Sequence, residues 1–203
     1  CSLFPSPTIH IGGASTDWGA WESDSSLMRA GLGSGAVIER LFIDRALRAL
    51  HFHGRRAAAW DTLTMAYPTP PPGTILLAHR RGDAGRRAAE SSRAPWVLAD
   101  ADILTLSHPG RVNNALELGH TLPDRLTHAL RGERLKGVEA VAWSSTITTP
   151  DLLFYHLLPR LLVVAEAAWH GENSLSWEKL APLIEHEMAH LRRTVPYWNP
   201  QQP

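Results

Sequence analysis

The chain has 203 residues, and its 20 lysines and arginines balance its 20 aspartates and glutamates, so neither a nucleic acid nor an anionic membrane is an expected partner. Its single cysteine, Cys1, excludes an intrachain disulfide, and no apolar run reaches the roughly 18 residues of a membrane span. The length suits one domain over residues 1–203, no signal peptide is visible, and the cellular location stays open.

The first predicted element is a short buried strand, from Thr8 to Ile11, that ends at the pair Gly12-Gly13. Two glycines permit a sharp turn and leave no side chain to block a ligand. In parallel α/β folds, the residues just past such a strand face the mouth of the active site. Ala14 and Ser15 occupy that place, and neither a methyl group nor a hydroxyl supplies a general acid or base near neutral pH.

Hydrophobic periodicity predicts alternating strands and helices over the rest of the chain. After a loop around Trp18 and Ser25, the predicted elements are a helix at Ala36–His51, strands at Arg56–Asp61 and Thr74–His79, a helix at Gly85–Ser92, strands at Trp96–Ala99 and Gly137–Trp143, and helices at Asp151–Trp169 and Trp177–Arg193. Such alternation favours a parallel sheet. Five strands fit strands four to eight of a (β/α)8 barrel or a small doubly wound sheet, and periodicity alone does not separate the two.

The first strand and its glycines resemble the signature of glycoside hydrolase family 20, the β-N-acetylhexosaminidases, in which His-x-Gly-Gly precedes Asp-Glu. The segment His10–Gly13 matches the first four positions. A longer match runs from Gly137 to Trp169, and the stretches ending in Trp60-Asp61 and His79-Arg80 match the middle of the family's domain. The resemblance implies an α/β fold that is a partial (β/α)8 TIM barrel, approximately strands four to eight, as a single domain.

Departures from the family pattern remove functional groups. Ala14-Ser15 replaces the acid pair, Thr62 replaces a Glu, His79 replaces a Trp, and Ser145 replaces the Glu that ends the last strand. The family's Tyr…Asp loop is expected near 104–107, where neither residue occurs.

In the family the substrate's own acetamido oxygen attacks the anomeric carbon, an exception to the two-carboxylate scheme. The Glu protonates the leaving oxygen, and the Asp orients the acetamido group. Without this pair we expect a β-N-acetylhexosaminidase-like carbohydrate-processing domain that is catalytically inactive.

The resemblance implies that several ligand-contacting groups remain, that no cofactor is needed, and that the ligand is an N-acetylhexosamine-containing glycan. These groups are His10, Trp60, Asp61, Arg80 and Trp143. An alternative is a non-catalytic structural or regulatory subunit that pairs with another barrel half. Five consecutive parallel strands leave two edges, so association as a homo-oligomer or with such a half is expected.

The sequence His186-Glu187-Met188-Ala189-His190 spells H-E-x-x-H, which places two imidazoles on one helix face as zinc peptidases need. The apolar stripe of this helix, which includes Leu180 and Ile184, lies on the opposite side. No His, Asp, Glu or Cys follows His190 as a third ligand. No metal is therefore expected, and a zinc metallopeptidase using His186, Glu187 and His190 is a lesser alternative.

Overall fold

The computed structural model describes residues 3–14, 16–107 and 122–194. Its strands are β1 (Thr8–His10), β2 (Arg56–Trp60), β3 (Ile75–Ala78), β4 (Trp96–Leu98) and β5 (Leu135–Val138), in the sheet order β1-β2-β3-β4-β5. The pairs β1–β2 and β2–β3 are parallel. Because a doubly wound sheet reverses its strand order at a switch point, this sequential order favours the barrel interpretation.

Helices follow the strands along the chain. They are α1 (Trp18–Glu22), α2 (Ser25–Arg29), α3 (Gly35–Phe52), α4 (Leu63–Ala66), α5 (Ala84–Ser92), α6 (Leu122–Ala129), α7 (Pro150–Leu157), α8 (Arg160–His170) and α9 (Trp177–Thr194), with 3-10 turns at Ser144–Thr146 and Gly171–Asn173. The helices predicted from periodicity at 36–51, 85–92 and 177–193 are confirmed as α3, α5 and α9.

The chain forms two compact units that divide between Val97 and Leu98. In the first unit, α3 and α5 pack on β2 and β3, and Ala59, Leu76 and Ala89 are completely buried. Gly85 allows α5 to approach closely, since a Cβ there would lie 3.0 Å from main-chain atoms at the end of β3. A single domain over 1–203 stays a prediction.

In the second unit, the predicted strand at 137–143 is wrong in its position. The ladder strand is β5 (Leu135–Val138), and Glu139 then donates its N–H to the Leu98 carbonyl oxygen at 2.8 Å. Val141 instead forms an isolated parallel bridge with Thr105. The apolar run therefore leaves the ladder early because its later residues pair with the loop that follows β4.

The single helix predicted over Asp151–Trp169 is also wrong, because the structure has α7 and α8 with a break at Leu158-Pro159. Proline lacks the N–H that would continue the helix, and its ring clashes with the preceding turn. Arg160 begins the new helix as a buried side chain and donates to the main-chain carbonyl oxygens of Leu106 and, at 3.0 Å, His156.

The loop expected around Trp18 and Ser25 contains the short helices α1 and α2. Each begins after an aspartate whose carboxylate accepts a main-chain N–H of the first turn. Asp17 accepts from Gly19 at 3.0 Å, and Asp24 accepts from Ser26 at 2.7 Å. These are N-caps, a local signal that hydrophobic periodicity does not register.

Within the described ranges, no single helix is both long and apolar enough to cross a membrane. The pair Pro150–Leu157 and Arg160–Asn173, which is bent by 48° at the break between its halves, reaches that length and composition only when taken together. Val163 and Val164 of this pair are buried in the core of the second unit.

Candidate functional site

The chain past β1 continues to pair with β2. Ile11 donates its N–H to the Ala58 carbonyl oxygen at 2.8 Å, and Trp60 donates to that of Gly12 at 3.0 Å. Gly12 and Gly13 have φ values of +80° and +88°, which L-residues with side chains adopt at a cost. The glycine pair therefore supplies left-handed backbone at the end of β1, and the chain bends at Ala14. Ala14 follows it half-buried, while Ser15 lies outside the described residues.

Three ring side chains form a row at the ends of β1, β2 and β3. The ring centroids of His10 and Trp60 lie 5.1 Å apart, and those of Trp60 and His79 lie 4.9 Å apart. We call these three residues the strand-end ring row. His10 Nδ1 accepts the Gly12 N–H at 3.1 Å, so in this contact Nδ1 carries no proton. His79 keeps a ring at the position where the family has a tryptophan.

A buried carboxylate holds the arginine beside this row. Asp61 is fully buried, and its Oδ1 accepts the main-chain N–H groups of His79 at 2.7 Å and Arg80 at 3.2 Å. Its Oδ2 accepts the Nε–H of Arg80. Arg80 keeps 36% of its side chain exposed. The buried Asp61 carboxylate thus fixes the position of the Arg80 side chain. The direct ligand contact predicted for Asp61 stays a prediction.

The hydroxyl of Thr62 donates to the Gly13 carbonyl oxygen. The residue that replaces the family's Glu after Trp-Asp therefore ties the end of β2 to the glycine pair. A threonine hydroxyl is not a general acid near neutral pH. The described positions Ala14 and Thr62 thus supply no carboxylate at the end of this pair of strands.

Trp143 belongs to the second unit, where 44% of it is exposed and its main-chain N–H donates to Ser107 Oγ at 2.8 Å. Leu104 and Leu106 are completely buried at the place where the resemblance implies a Tyr…Asp loop. Ser145, which replaces the strand-end Glu, lies exposed in the turn Ser144–Thr146.

The H-E-x-x-H residues of α9 lie on the exposed side of the helix, away from its apolar stripe, as the sequence predicts. His186, Glu187 and His190 are exposed, while Leu180 and Ile184 are buried. In the part of the chain that the structure describes, no group of three or more His, Cys, Asp or Glu side chains is arranged to hold a metal ion. The zinc alternative has no third ligand in these ranges and stays a prediction.

Sequence reasoning missed Glu39 of α3, which binds the loop after β1. Its Oε1 accepts from Thr16 Oγ1 at 2.9 Å, and its Oε2 accepts from Trp18 Nε1 at 2.8 Å. Helical spacing places Glu39 one turn before the buried Ile43, but it gives no signal for partners more than 20 residues earlier in the chain. A carboxylate therefore does lie near Ala14, but it comes from the following helix.

Comparison with known proteins gives one consistent set of similar proteins. The chain matches the family described as glycosyl hydrolase family 20, catalytic domain, over residues 1–172. It is 31% identical over 77 residues to a beta-N-acetylhexosaminidase of Cellulomonas fimi, covering 38% of this chain and 14% of that protein. It is 23% identical over 208 residues to a beta-hexosaminidase of Akkermansia muciniphila, covering 94% of this chain and 42% of that protein.

Solved structures share the fold. The beta-N-acetylhexosaminidase of Bacteroides fragilis superposes with a TM-score of 0.75 at 18% identity, covering 96% of this chain and 42% of that one. A mutant Streptomyces plicatus beta-hexosaminidase in complex with product GlcNAc gives 0.72 at 22% identity, covering 100% and 40%. The chain thus spans less than half the length of these relatives, and the predicted partial barrel fold is confirmed.

Proposed function

Because the chain belongs to glycosyl hydrolase family 20, we propose that it is a β-N-acetylhexosaminidase-like carbohydrate-processing domain that binds an N-acetylhexosamine-containing glycan without hydrolysing it. One observation carries this proposal. The strand-end ring row is present, and so is Arg80, which the Asp61 carboxylate holds in place. In contrast, Ala14 and Thr62 occupy positions where the family has carboxylates.

The retained groups suit a sugar. An aromatic face such as that of Trp60 offers apolar area to the C–H face of a pyranose, and its ring neighbours His10 and His79 restrict its orientation. The guanidinium of Arg80 supplies several N–H donors for hydroxyl or carbonyl oxygens. Because Asp61 already fixes this guanidinium, little side-chain freedom is lost on binding.

The chain lacks the carboxylic acid that donates a proton to the leaving oxygen in the family's hydrolysis reaction. The family's reaction needs an acid at the leaving oxygen and a carboxylate that orients the acetamido group, and loss of an acid catalyst alone costs on the order of 10²- to 10⁴-fold in rate. We expect no turnover of a chromogenic N-acetylglucosaminide above a heat-killed control. Turnover that disappears in Ser15→Ala would contradict this and give Ser15 a catalytic role.

Titration calorimetry with N-acetylglucosamine tests binding. We expect saturable binding that weakens about tenfold in Trp60→Ala and in Arg80→Ala, since each removes one charged or aromatic contact. Trp169→Ala is the matched control, because Trp169 is 86% exposed on α8. Absence of binding by the unaltered chain would refute the proposal.

The second candidate is a structural or regulatory subunit that pairs with another barrel half. It is favoured by the outer surface of α3, where Leu41 is 47% and Phe42 is 67% exposed. Apolar groups in contiguous exposed positions mark association surfaces more often than isolated ones do. Sugar binding separates the candidates, since this subunit would bind none.

A further inference from the structure

A half-open cavity of about 460 Å³ lies beside the glycine pair in the first unit. Two residues in its wall, Ala14 and Thr62, replace carboxylates of the family pattern with shorter side chains. The rest of the wall comes from the segment after β1, from α1, and from α3 and α4, and its α3 and α4 part is mostly apolar. It includes Ala36, Val37, Ile43, Met65 and Ala66. This volume falls in the range of sites for small organic ligands.

One carboxylate belongs to this wall among the described residues. Glu39 lines the cavity, and each of its oxygens accepts one hydrogen bond, from Thr16 or from Trp18. A carboxylate offers about four lone-pair sites, so two protein donors leave capacity for a ligand. The same two donors fix the orientation of the carboxylate, which therefore forms a pre-positioned acceptor at the edge of an apolar space.

The other charged residue of the wall is Arg40. Its guanidinium lies over the ring of Tyr67, 5.1 Å from the centroid, and the Tyr67 hydroxyl donates to the carboxylate of Asp44. Arg40 keeps its positive charge in this contact, and the Asp44 carboxylate bound to Tyr67 offsets it. Glu39 therefore leaves a net negative charge around the cavity.

We propose that this cavity binds a small primary amine with an apolar body. The ammonium group donates to the Glu39 carboxylate, and the body lies against Val37 and Ile43. Charge-assisted hydrogen bonds at a fixed carboxylate are stronger than neutral ones. Ala14 and Thr62 border this cavity, but none of the three rings of the strand-end ring row lines it, so the amine and the glycan are tested by different variants.

Three probes of similar size test the charge preference of the 203-residue chain at pH 7. They are 2-phenylethylamine, 2-phenylethanol and 3-phenylpropionate, each titrated by calorimetry. We expect the amine to bind about tenfold more tightly than the alcohol, because a hydrogen bond to a charged group exceeds a neutral one by about that factor. The carboxylate should bind most weakly. No saturable binding of the amine, or equal affinity for all three, would overturn the proposal.

Two variants locate the site. Glu39→Gln keeps the shape and removes the charge, so it should abolish the preference for the amine over the alcohol. Ala36→Leu fills the cavity and should abolish binding of both, whereas Ala49→Leu, at an exposed position of α3 outside the cavity, should leave both affinities unchanged. Retained amine preference in Glu39→Gln, or unchanged affinity in Ala36→Leu, would refute the site. Failure of N-acetylglucosamine to bind would count against the glycan proposal alone.

Discussion

Asp61 and Arg80 lie just past the ends of neighbouring strands, and the buried carboxylate of Asp61 accepts both the main-chain N–H and the guanidinium of Arg80. The same carboxylate accepts the His79 N–H. One side chain just past β2 thus holds the main chain that follows β3. In this arrangement Asp61 acts as a positioning residue that holds His79 and Arg80 in place.

Asp61→Ala should destabilise the protein by about 3 kcal/mol, because it leaves three donors near a buried position without their acceptor. Urea denaturation measures this loss. Asp83→Ala is the matched control, since its carboxylate is 57% exposed and pairs with Arg86 on the surface. The control should cost less than about 1 kcal/mol, and equal losses in the two variants would contradict the structural role of Asp61.

Gly85→Ala should lower stability by about 1–2 kcal/mol, although alanine is the better helix former. The added Cβ would lie 3.0 Å from main-chain atoms of Ala78, His79 and Arg80, so α5 or the end of β3 must shift. Thermal melting checks this. Gly33→Ala is the control, because its Cβ would meet nothing within 4 Å. A melting temperature unchanged in both variants would show that α5 yields without strain.

His156 should make stability depend on pH. It is buried, and burial together with the nearby charge of Arg160 lowers its pKa below the ordinary value of 6.5. The unfolded chain therefore binds more protons between about pH 6.5 and the lower folded pKa. The stability contributed by neutral His156 is present above about pH 6.5 and is lost as the pH falls through that window.

The measurement is the free energy of unfolding between pH 8 and pH 5. His156→Phe should flatten the decline, because it removes the titrating group and keeps an aromatic ring. His186→Gln, at an exposed position of α9, should leave the decline unchanged. A profile for His156→Phe that matches the unaltered chain would assign the pH dependence to other groups.

The chain should associate, as a homo-oligomer or with another barrel half. In the described residues the strand order ends at β1 and at β5, and unpaired edges of parallel sheets template further pairing. Sedimentation velocity at micromolar concentration should show a species larger than the monomer. The double variant Leu41→Ser, Phe42→Ser should shift it towards monomer, with Phe52→Ser at the end of α3 as the control. A compact monomer that melts cooperatively would contradict the half-barrel interpretation.

Sequence reasoning succeeded for elements whose own residues carry a clear periodic pattern. α3 and α9 each span 18 residues, long enough for helical periodicity to be unambiguous. β2 and β3 are short apolar runs bounded by turn residues. The rings of His10 and Trp60 do lie 5.1 Å apart, whereas the glycan contacts of His10, Trp60 and Arg80 stay predictions.

The remaining features depend on single main-chain groups or on distant partners. An apolar pattern runs through Pro159 without a change of period, so periodicity joins α7 to α8 although proline breaks the hydrogen-bond ladder. The end of β5 is set by the pairing of Val141 with Thr105. The role of Glu39 depends on contacts 21 and 23 residues away in the chain, which no local pattern encodes.

The two amides that Asp61 binds lie beyond the last residue of β3, in a segment where deuterium normally enters quickly. Because both share one buried acceptor, they lose it in the same local opening and should take up deuterium together. Their exchange should be as slow as that of the strand itself. Slow deuterium uptake by a peptide covering His79 and Arg80 would show that the slow-exchanging core continues past the end of β3, towards the surface where the Arg80 side chain lies.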